Sequence, residues 1–293
     1  MKSGFISITG RPNVGKSTLL NAILGEKIAI TTDKPQTTRN RIRGIYTDDD
    51  SQMVFLDTPG IHKPRNKLGE YMTETAFSVF DDVDVILFLT DDRLDAGPGD
   101  RFIVDRLANV DTPKYLVINK IDKLGPEKYR EIFEEYSKLG IFDGIFGISA
   151  LKGKNISDII TALKNKLDEG PAYFPPDMIT DHPERFIVSE IIREKLLMYL
   201  DEEVPHGVAV EIESYEEEPD ITRIGAVIYC ERRSHKGIII GKNGRKLKGV
   251  GKSAREEIQR LTGTKVYLRL WVKVKENWRD SDFMLSNFGY KDK

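Results

Sequence analysis

The 293-residue sequence predicts a doubly wound α/β domain over residues 1–172, a linker over 173–184, and a smaller α+β domain over 185–293. Three observations carry that expectation. Through the first half, five short apolar runs alternate with helix-length periodic stretches, the pattern of a sheet covered by helices on both faces. The alternation breaks at Gly170-Pro171-Ala172-Tyr173-Phe174-Pro175-Pro176, where adjacent prolines disfavour helix and remove backbone donors. Beyond the break the order changes to helix, strand, strand, helix, glycine loop, helix, strand. The length also suits two cores better than one.

In chain order, the strands of the first domain are expected at Phe5–Ile8, Met53–Leu56, Val85–Leu89, Tyr115–Ile118 and Gly144–Ile148. Helices are expected near 15–24, 66–80, 98–109, 126–138 and 155–168. The second domain begins with an amphipathic helix from Glu184 to Leu200, followed by strands at Val208–Ser214 and Ile221–Glu231. The acidic run Glu216-Glu217-Glu218-Pro219-Asp220 reads as the solvated turn between them. A helix ending near Leu261, a strand Val266–Val274 and a short terminal helix complete it. There is no internal repeat.

Charge narrows the function classes. With 45 Lys+Arg against 47 Asp+Glu the net charge is -2, so attraction to nucleic acid must come from a local patch. The single cysteine, Cys230, lies in the apolar run Ala226-Val227-Ile228-Tyr229-Cys230. It is expected as buried packing, with no intramolecular disulfide and a reducing compartment. No run approaches the ~20 apolar residues of a membrane span, and Met1-Lys2-Ser3-Gly4 lacks a signal-peptide core. The expected location is cytoplasmic, at most peripheral on the inner face of the cell membrane.

Gly10-Arg11-Pro12-Asn13-Val14-Gly15-Lys16-Ser17, with Thr18 following, fits GxxxxGK[ST] between an apolar strand and a helix-compatible run. Its glycines let backbone N–H groups wrap phosphates at a helix N-terminus. Lys16 should reach the β- and γ-phosphates, and the Ser17 hydroxyl should bind Mg2+. Asp57-Thr58-Pro59-Gly60 ends the second strand, where Asp57 can hold Mg2+ through water and the Gly60 N–H can face the γ-phosphate. Thr38, with Thr37 as its rival, could complete the metal shell. Asn119-Lys120-Ile121-Asp122 closes the fourth strand; Asp122 can accept both the N1–H and the N2 amino group of guanine, donors that adenine lacks there. Ser149-Ala150-Leu151 ends the next strand and offers the Ala150 N–H to guanine O6. The bound nucleotide is therefore GTP or GDP.

From Arg232 to Arg255 there are nine basic residues and no Asp or Glu, a concentrated phosphate-attracting stretch. Within it Gly241-Lys242-Asn243-Gly244 matches the GxxG of KH domains, where glycines allow close approach of an RNA backbone. Lys236, Arg245 and Lys248 flank it as further candidate RNA contacts. Ile239 and Ile240 are expected in the core. The plainer alternative is a basic solvated face on a small α+β module.

Taken together, these residues resemble the translation-factor-related GTPases and, within them, the Era family of bacterial ribosome-assembly GTPases. The resemblance covers the whole chain, including Pro35-Gln36-Thr37-Thr38-Arg39 and the type II KH order of the tail. It implies Asn119 and Lys120 as guanine-ring contacts and switch segments at Thr31 to Arg39 and Ile61 to Gly69. It also implies a monomer acting in 30S subunit assembly, with the KH domain on the 3′ end of 16S ribosomal RNA. Some relatives with asparagine at the Asn13 position recruit K+; the alternative role for Asn13 is loop stabilisation. Ile61 stands where signalling GTPases place a water-orienting glutamine. Slow hydrolysis supported by Lys16, Thr38, Gly60 and Asn13 is therefore expected. Rival functions are a peripheral-membrane signalling GTPase and a metabolic P-loop kinase.

Overall fold

The computed structural model describes residues 1–92 and 97–290, and the chain divides into two compact units. The first comprises Met1–Ala29, Thr38–Arg65 and Gly69–Asp181; the second comprises Ile30–Thr37, Asn66–Leu68 and His182–Lys293.

The first unit is built on six strands: β1 (Lys2–Gly10), β2 (Ile42–Thr47), β3 (Ser51–Asp57), β4 (Val85–Thr90), β5 (Lys114–Ile118) and β6 (Gly144–Gly147). They lie in the order β2-β3-β1-β4-β5-β6, parallel throughout except for β2, which pairs antiparallel to β3. Its helices are α1 (Lys16–Leu24), α2 (Lys67–Phe77, in this unit from Gly69 on), α3 (Pro98–Leu107), α4 (Pro126–Ser137) and α5 (Ile156–Lys166). Alternation along the strands sends residues to opposite faces. Val54, Leu56, Ile86, Phe88, Leu116 and Ile118 share a core with Ala76 of α2, Ile103 and Leu107 of α3, and Ile132 and Tyr136 of α4. On the other face α1 approaches so closely that a Cβ on Gly44 would lie 2.7 Å from Leu20 and 2.8 Å from Leu24.

Strand β2 was not anticipated from the sequence. Ile42-Arg43-Gly44-Ile45-Tyr46-Thr47 is interrupted by Arg43 and Gly44, yet Ile42 and Ile45 are buried. An antiparallel edge strand needs fewer apolar residues than the central ones. The segment after Gly170 is anchored within this unit: the Tyr173 and Phe174 N–H groups donate to Gln52 Oε1 at 2.7 and 2.9 Å, and Ile45 N donates to Ile179 O.

In the second unit α6 (Glu184–Tyr199), α7 (Arg233–Ile240), α8 (Arg245–Thr262) and the short α9 (Asp282–Asn287) accompany β7 (Ala209–Glu218), β8 (Ile221–Cys230) and β9 (Lys265–Val274). The sheet order is β7-β8-β9, antiparallel then parallel. Val188, Ile192 and Leu196 of α6, Ile224, Ala226 and Ile228 of β8, and Val250, Ala254 and Ile258 of α8 form its core. Cys230 and Ile239 are fully buried there as expected, and Ile240 packs against the same core. The acidic turn is a correction: Glu216, Glu217 and Glu218 belong to β7 and pair with Arg223, Thr222 and Ile221, leaving Pro219-Asp220 as the turn. The backbone pairing holds these residues in the strand while all three carboxylates stay exposed to solvent as expected, Glu218 in an ion pair with Arg223 at 2.7 Å. Trp278, fully buried, donates its Nε1–H to Gly207 O at 3.0 Å and tethers the chain end.

Candidate nucleotide site and nucleic-acid surface

Gly10, Asp57, Asn119 and Ser149 all stand at or just beyond the carboxyl ends of β1, β3, β5 and β6, the edge at which open α/β sheets bind ligands. The turn from β1 to α1 needs its glycines. Gly15 has φ +101° and a Cβ there would lie 2.2 Å from Asn119 Nδ2; on Gly10 it would lie 2.4 Å from Leu89 O. Asn13 is left-handed at φ 65°, a conformation that asparagine tolerates. Pro12 packs on Gly60, whose own Cβ would meet it at 2.8 Å. Val14 is buried, and Thr18 follows Ser17 within α1.

Lys16, buried at the start of α1, donates Nζ to Gly10 O at 3.1 Å and Arg11 O at 2.9 Å. Burial lowers its pKa to about 8. Ser17 Oγ donates to Asp57 Oδ2 at 2.6 Å and lies 2.8 Å from Thr38 Oγ1, which is 3.4 Å from the same carboxylate oxygen. Burial pushes Asp57 up to about 6 against the opposing pull of Lys16, Ser17 and Thr38. Its Oδ1 is buried with no hydrogen-bond partner among the described residues. Two hydroxyls and one carboxylate with an orphaned oxygen suit a hard divalent cation such as Mg2+. The structure thus places Thr38, and not Thr37, at this cluster; Thr37 Oγ1 donates to Lys34 O at 2.7 Å. Thr58 donates both N–H and Oγ1–H to Ile8 O at 3.2 and 2.9 Å, which with Pro59 fixes the approach to Gly60. Ile61 is turned into the core beside α2 and α3.

On the base side, Asn119 Nδ2 donates to Val14 O at 2.8 Å, while its Oδ1 accepts the Lys120 and Ala150 N–H groups at 2.8 and 3.0 Å. Ser149 Oγ donates to Asp122 Oδ1 at 2.6 Å. That bond holds the exposed Asp122 carboxyl below its usual range. Leu151 is largely exposed. All the nucleotide candidates therefore line one sheet edge. Asp91 and Asp100, which contact Arg11 and Lys120, were missed; Asp91 follows Thr90 at the end of β4, and that position was the available signal.

In the second unit, α7 and α8 flank Gly241-Lys242-Asn243-Gly244. Gly241, Asn243 and Gly244 have φ of 71°, 53° and 73°, and a Cβ on Gly241 would lie 2.7 Å from that of Lys246. Lys236, Lys242, Asn243, Arg245 and Lys248 are all exposed around this loop. A backbone held open by glycines and rimmed by cations can accept a phosphodiester chain.

Together the two sites define a P-loop guanine-nucleotide-binding domain followed by a KH module. Residues 5–120 match the family model for a 50S ribosome-binding GTPase, and residues 203–279 match that for a KH domain. The chain is 59% identical to GTPase Era of Alkaliphilus oremlandii over 291 residues, covering 99% of each. With GTPase Era of Clostridioides difficile it shares 60% over 295 residues, 100% of this chain and 99% of the relative. The chain belongs to the Era family of GTPases and is a GTP-hydrolysing enzyme. A crystal structure of Era with MgGDPNP and nucleotides 1506–1542 of 16S ribosomal RNA matches it with a TM-score of 0.94 at 42% identity, covering 99% of each chain. An Aquifex aeolicus Era variant bound to GDP·AlF4- matches equally, with a TM-score of 0.94 at 42% identity over 99% of each chain. Among the described residues no helix is long and apolar enough to cross a membrane.

Proposed function

We propose that this GTPase hydrolyses GTP slowly and that its KH module binds the 3′ end of 16S ribosomal RNA during 30S subunit assembly. The carrying observation is the Ser17–Thr38–Asp57 cluster at the phosphate loop, in a chain that also carries the exposed basic GxxG loop. The related complex with MgGDPNP and 16S nucleotides supports both ligands.

In this reading Lys16 neutralises the β- and γ-phosphates, the loop N–H groups wrap the phosphate chain, and the Gly60 N–H donates to the γ-phosphate. Ser17 and Thr38 hydroxyls with Asp57 hold Mg2+, which when bound offsets charge on the phosphate oxygens. Asp122, held by the Ser149 hydroxyl, reads the guanine donors, with Asn119, Lys120 and the Ala150 N–H framing the base. Because Ile61 is buried, no side chain from that position orients water, which makes hydrolysis slow. Asn13 holds K+ beside the phosphates: hydrolysis is expected to run faster in K+ than in Na+, and Asn13→Ala to remove the difference. Equal wild-type rates in both salts would reject that role alone. We place the domains at 1–172 and 185–293, joined by 173–184, in a monomer.

The direct test is polarisation binding of a labelled 16S 3′-end fragment to the full chain at several salt concentrations. Salt-sensitive binding to the fragment, and none to anionic liposomes at matched salt, is expected. Liposome binding without RNA binding would replace this reading with a membrane role.

A further inference from the structure

Behind the nucleotide edge Lys120 heads a chain of four charged side chains, and the functions above leave the other three, Asp91, Arg11 and Asp100, without a role as side chains. Lys120 Nζ donates to Asp91 Oδ2 at 3.0 Å and to Asn13 O at 2.8 Å. Asp91 Oδ1 accepts from Arg11 Nη2 at 2.9 Å, and Arg11 Nε lies 2.6 Å from Asp100 Oδ1. Side-chain exposure is 29% at Lys120, 7% at Asp91, 9% at Arg11 and 0% at Asp100. Two cations and two anions thus alternate in a nearly dry setting. An ion pair there is fixed in geometry, and removing Asp91 takes from Lys120 its carboxylate partner and leaves Arg11 with Asp100 alone.

The placement of the chain matters more than its strength. Asp91 directly follows β4 and stands between the phosphate loop, which supplies Arg11 and Asn13, and the loop after β5, which supplies Lys120. Lys120 itself is left-handed at φ 64°, so its backbone is set locally while its long side chain still has four rotors to order. Burial alone would raise the Asp91 pKa, but Lys120 and Arg11 outweigh it and hold the carboxyl below its usual range. Asp91 is therefore an anion throughout the neutral range.

We propose that Asp91 is a positioning residue for guanine-nucleotide binding: it orders the Lys120 side chain beside the base and, through Arg11, locks that placement to the phosphate loop. The proposal rests on Lys120 being a guanine-ring contact. Ordering the side chain before the ligand arrives removes an entropic cost from binding. Its loss should raise the dissociation rate of bound GDP and GTP without selecting between them, since the contact is to the base side.

The test is a double-mutant cycle in the full-length chain, read as the dissociation rate of a fluorescent GDP analogue by stopped flow. Asp91→Asn keeps the shape and removes the charge; it should speed release about tenfold, the scale of one charge-assisted hydrogen bond. Asp91→Glu keeps the charge and moves the carboxylate by one methylene, so it serves if the first variant does not fold; about threefold is expected from a strained hydrogen bond. In a Lys120→Met background both effects should vanish, because residues that act as a unit are non-additive. A purely structural role would move the melting temperature of the nucleotide-free chain and leave the cycle additive. Additive losses, or unchanged release in both Asp91 variants while Lys120→Met accelerates it, would overturn the proposal alone. Unchanged release in Lys120→Met would overturn the base-contact reading and the proposal with it.

Discussion

Asp57 shows how one residue carries a testable electrostatic burden. Burial raises its pKa to about 6 in the nucleotide-free chain, whereas a bound cation favours the carboxylate and lowers it. Affinity for MgGTP should be full above pH 6 and fall as pH drops through it, approaching tenfold per unit below. Binding at pH 6 should displace about half a proton per nucleotide by the same linkage, measurable as a buffer-dependent heat in calorimetry. No proton release would place the cation elsewhere. In the proposed reading Asp122 carries base choice in the same single-residue manner. Asp122→Asn should weaken GTP by roughly tenfold to a hundredfold, the scale of unpaired buried donors, and shift preference toward xanthosine triphosphate, whose 2-oxo group can accept from the amide. Competition binding with both nucleotides decides, and unchanged GTP preference would remove the assignment. These residues were legible in the sequence because each sits in a short motif at a strand end. Asp91 and Asp100 were not, because their partners are 80 and 89 positions away, at Arg11, and no local pattern marks such a pair.

At the scale of elements, the GxxG loop separates a specific cleft from mere charge. Lys242 and Asn243 are exposed, and Asn243 at φ 53° can be replaced by aspartate, which also tolerates that region. Lys242→Asp with Asn243→Asp should abolish single-strand RNA binding without unfolding the module. Lys248→Asp with Lys252→Asp, on exposed positions of α8, should lower affinity and flatten the log-log salt slope by about 1.4, at ~0.7 per lost phosphate contact. Equal losses from both pairs, on single- and double-stranded RNA alike, would leave only an electrostatic patch. Element type was readable wherever the period was strong, as in β1, β3, β4 and β5, which are apolar on both faces. It was unreadable in β2 and in the last turn of β7, where pairing to β3 and β8 supplies the stabilisation that side-chain pattern does not announce.

For the whole molecule, the second compact unit is not contiguous in sequence. It takes in Ile30–Thr37, and there Arg193, 1% exposed, donates to the Gln36 and Thr37 carbonyls and pairs with Glu190, while Glu194 accepts the Thr31 N–H at 2.9 Å. A fragment beginning at His182 keeps the Arg193–Glu190 and Lys195–Glu194 ion pairs but loses the hydrogen bonds of Arg193 and Glu194 to the backbone of Ile30–Thr37. It should fold around its own core and keep salt-sensitive RNA binding. Its α6 should lose about 1–3 kcal/mol of local stability, the scale of hydrogen bonds made to charged groups. Hydrogen exchange of α6 amides in the fragment and the full chain measures this; identical protection would mean that Ile30–Thr37 contributes nothing. The sequence by itself determined the two kinds of core, the phosphate loop, guanine choice and the GxxG loop, because period and motif are local and act through neighbouring backbone. Only the tertiary structure decided which threonine meets Asp57, that Ile61 faces the core, how Lys120 is held, and where Ile30–Thr37 belongs. Each of these depends on burial and on charges brought together from distant positions, and a buried charge finds its partner by proximity in space, not by spacing along the chain.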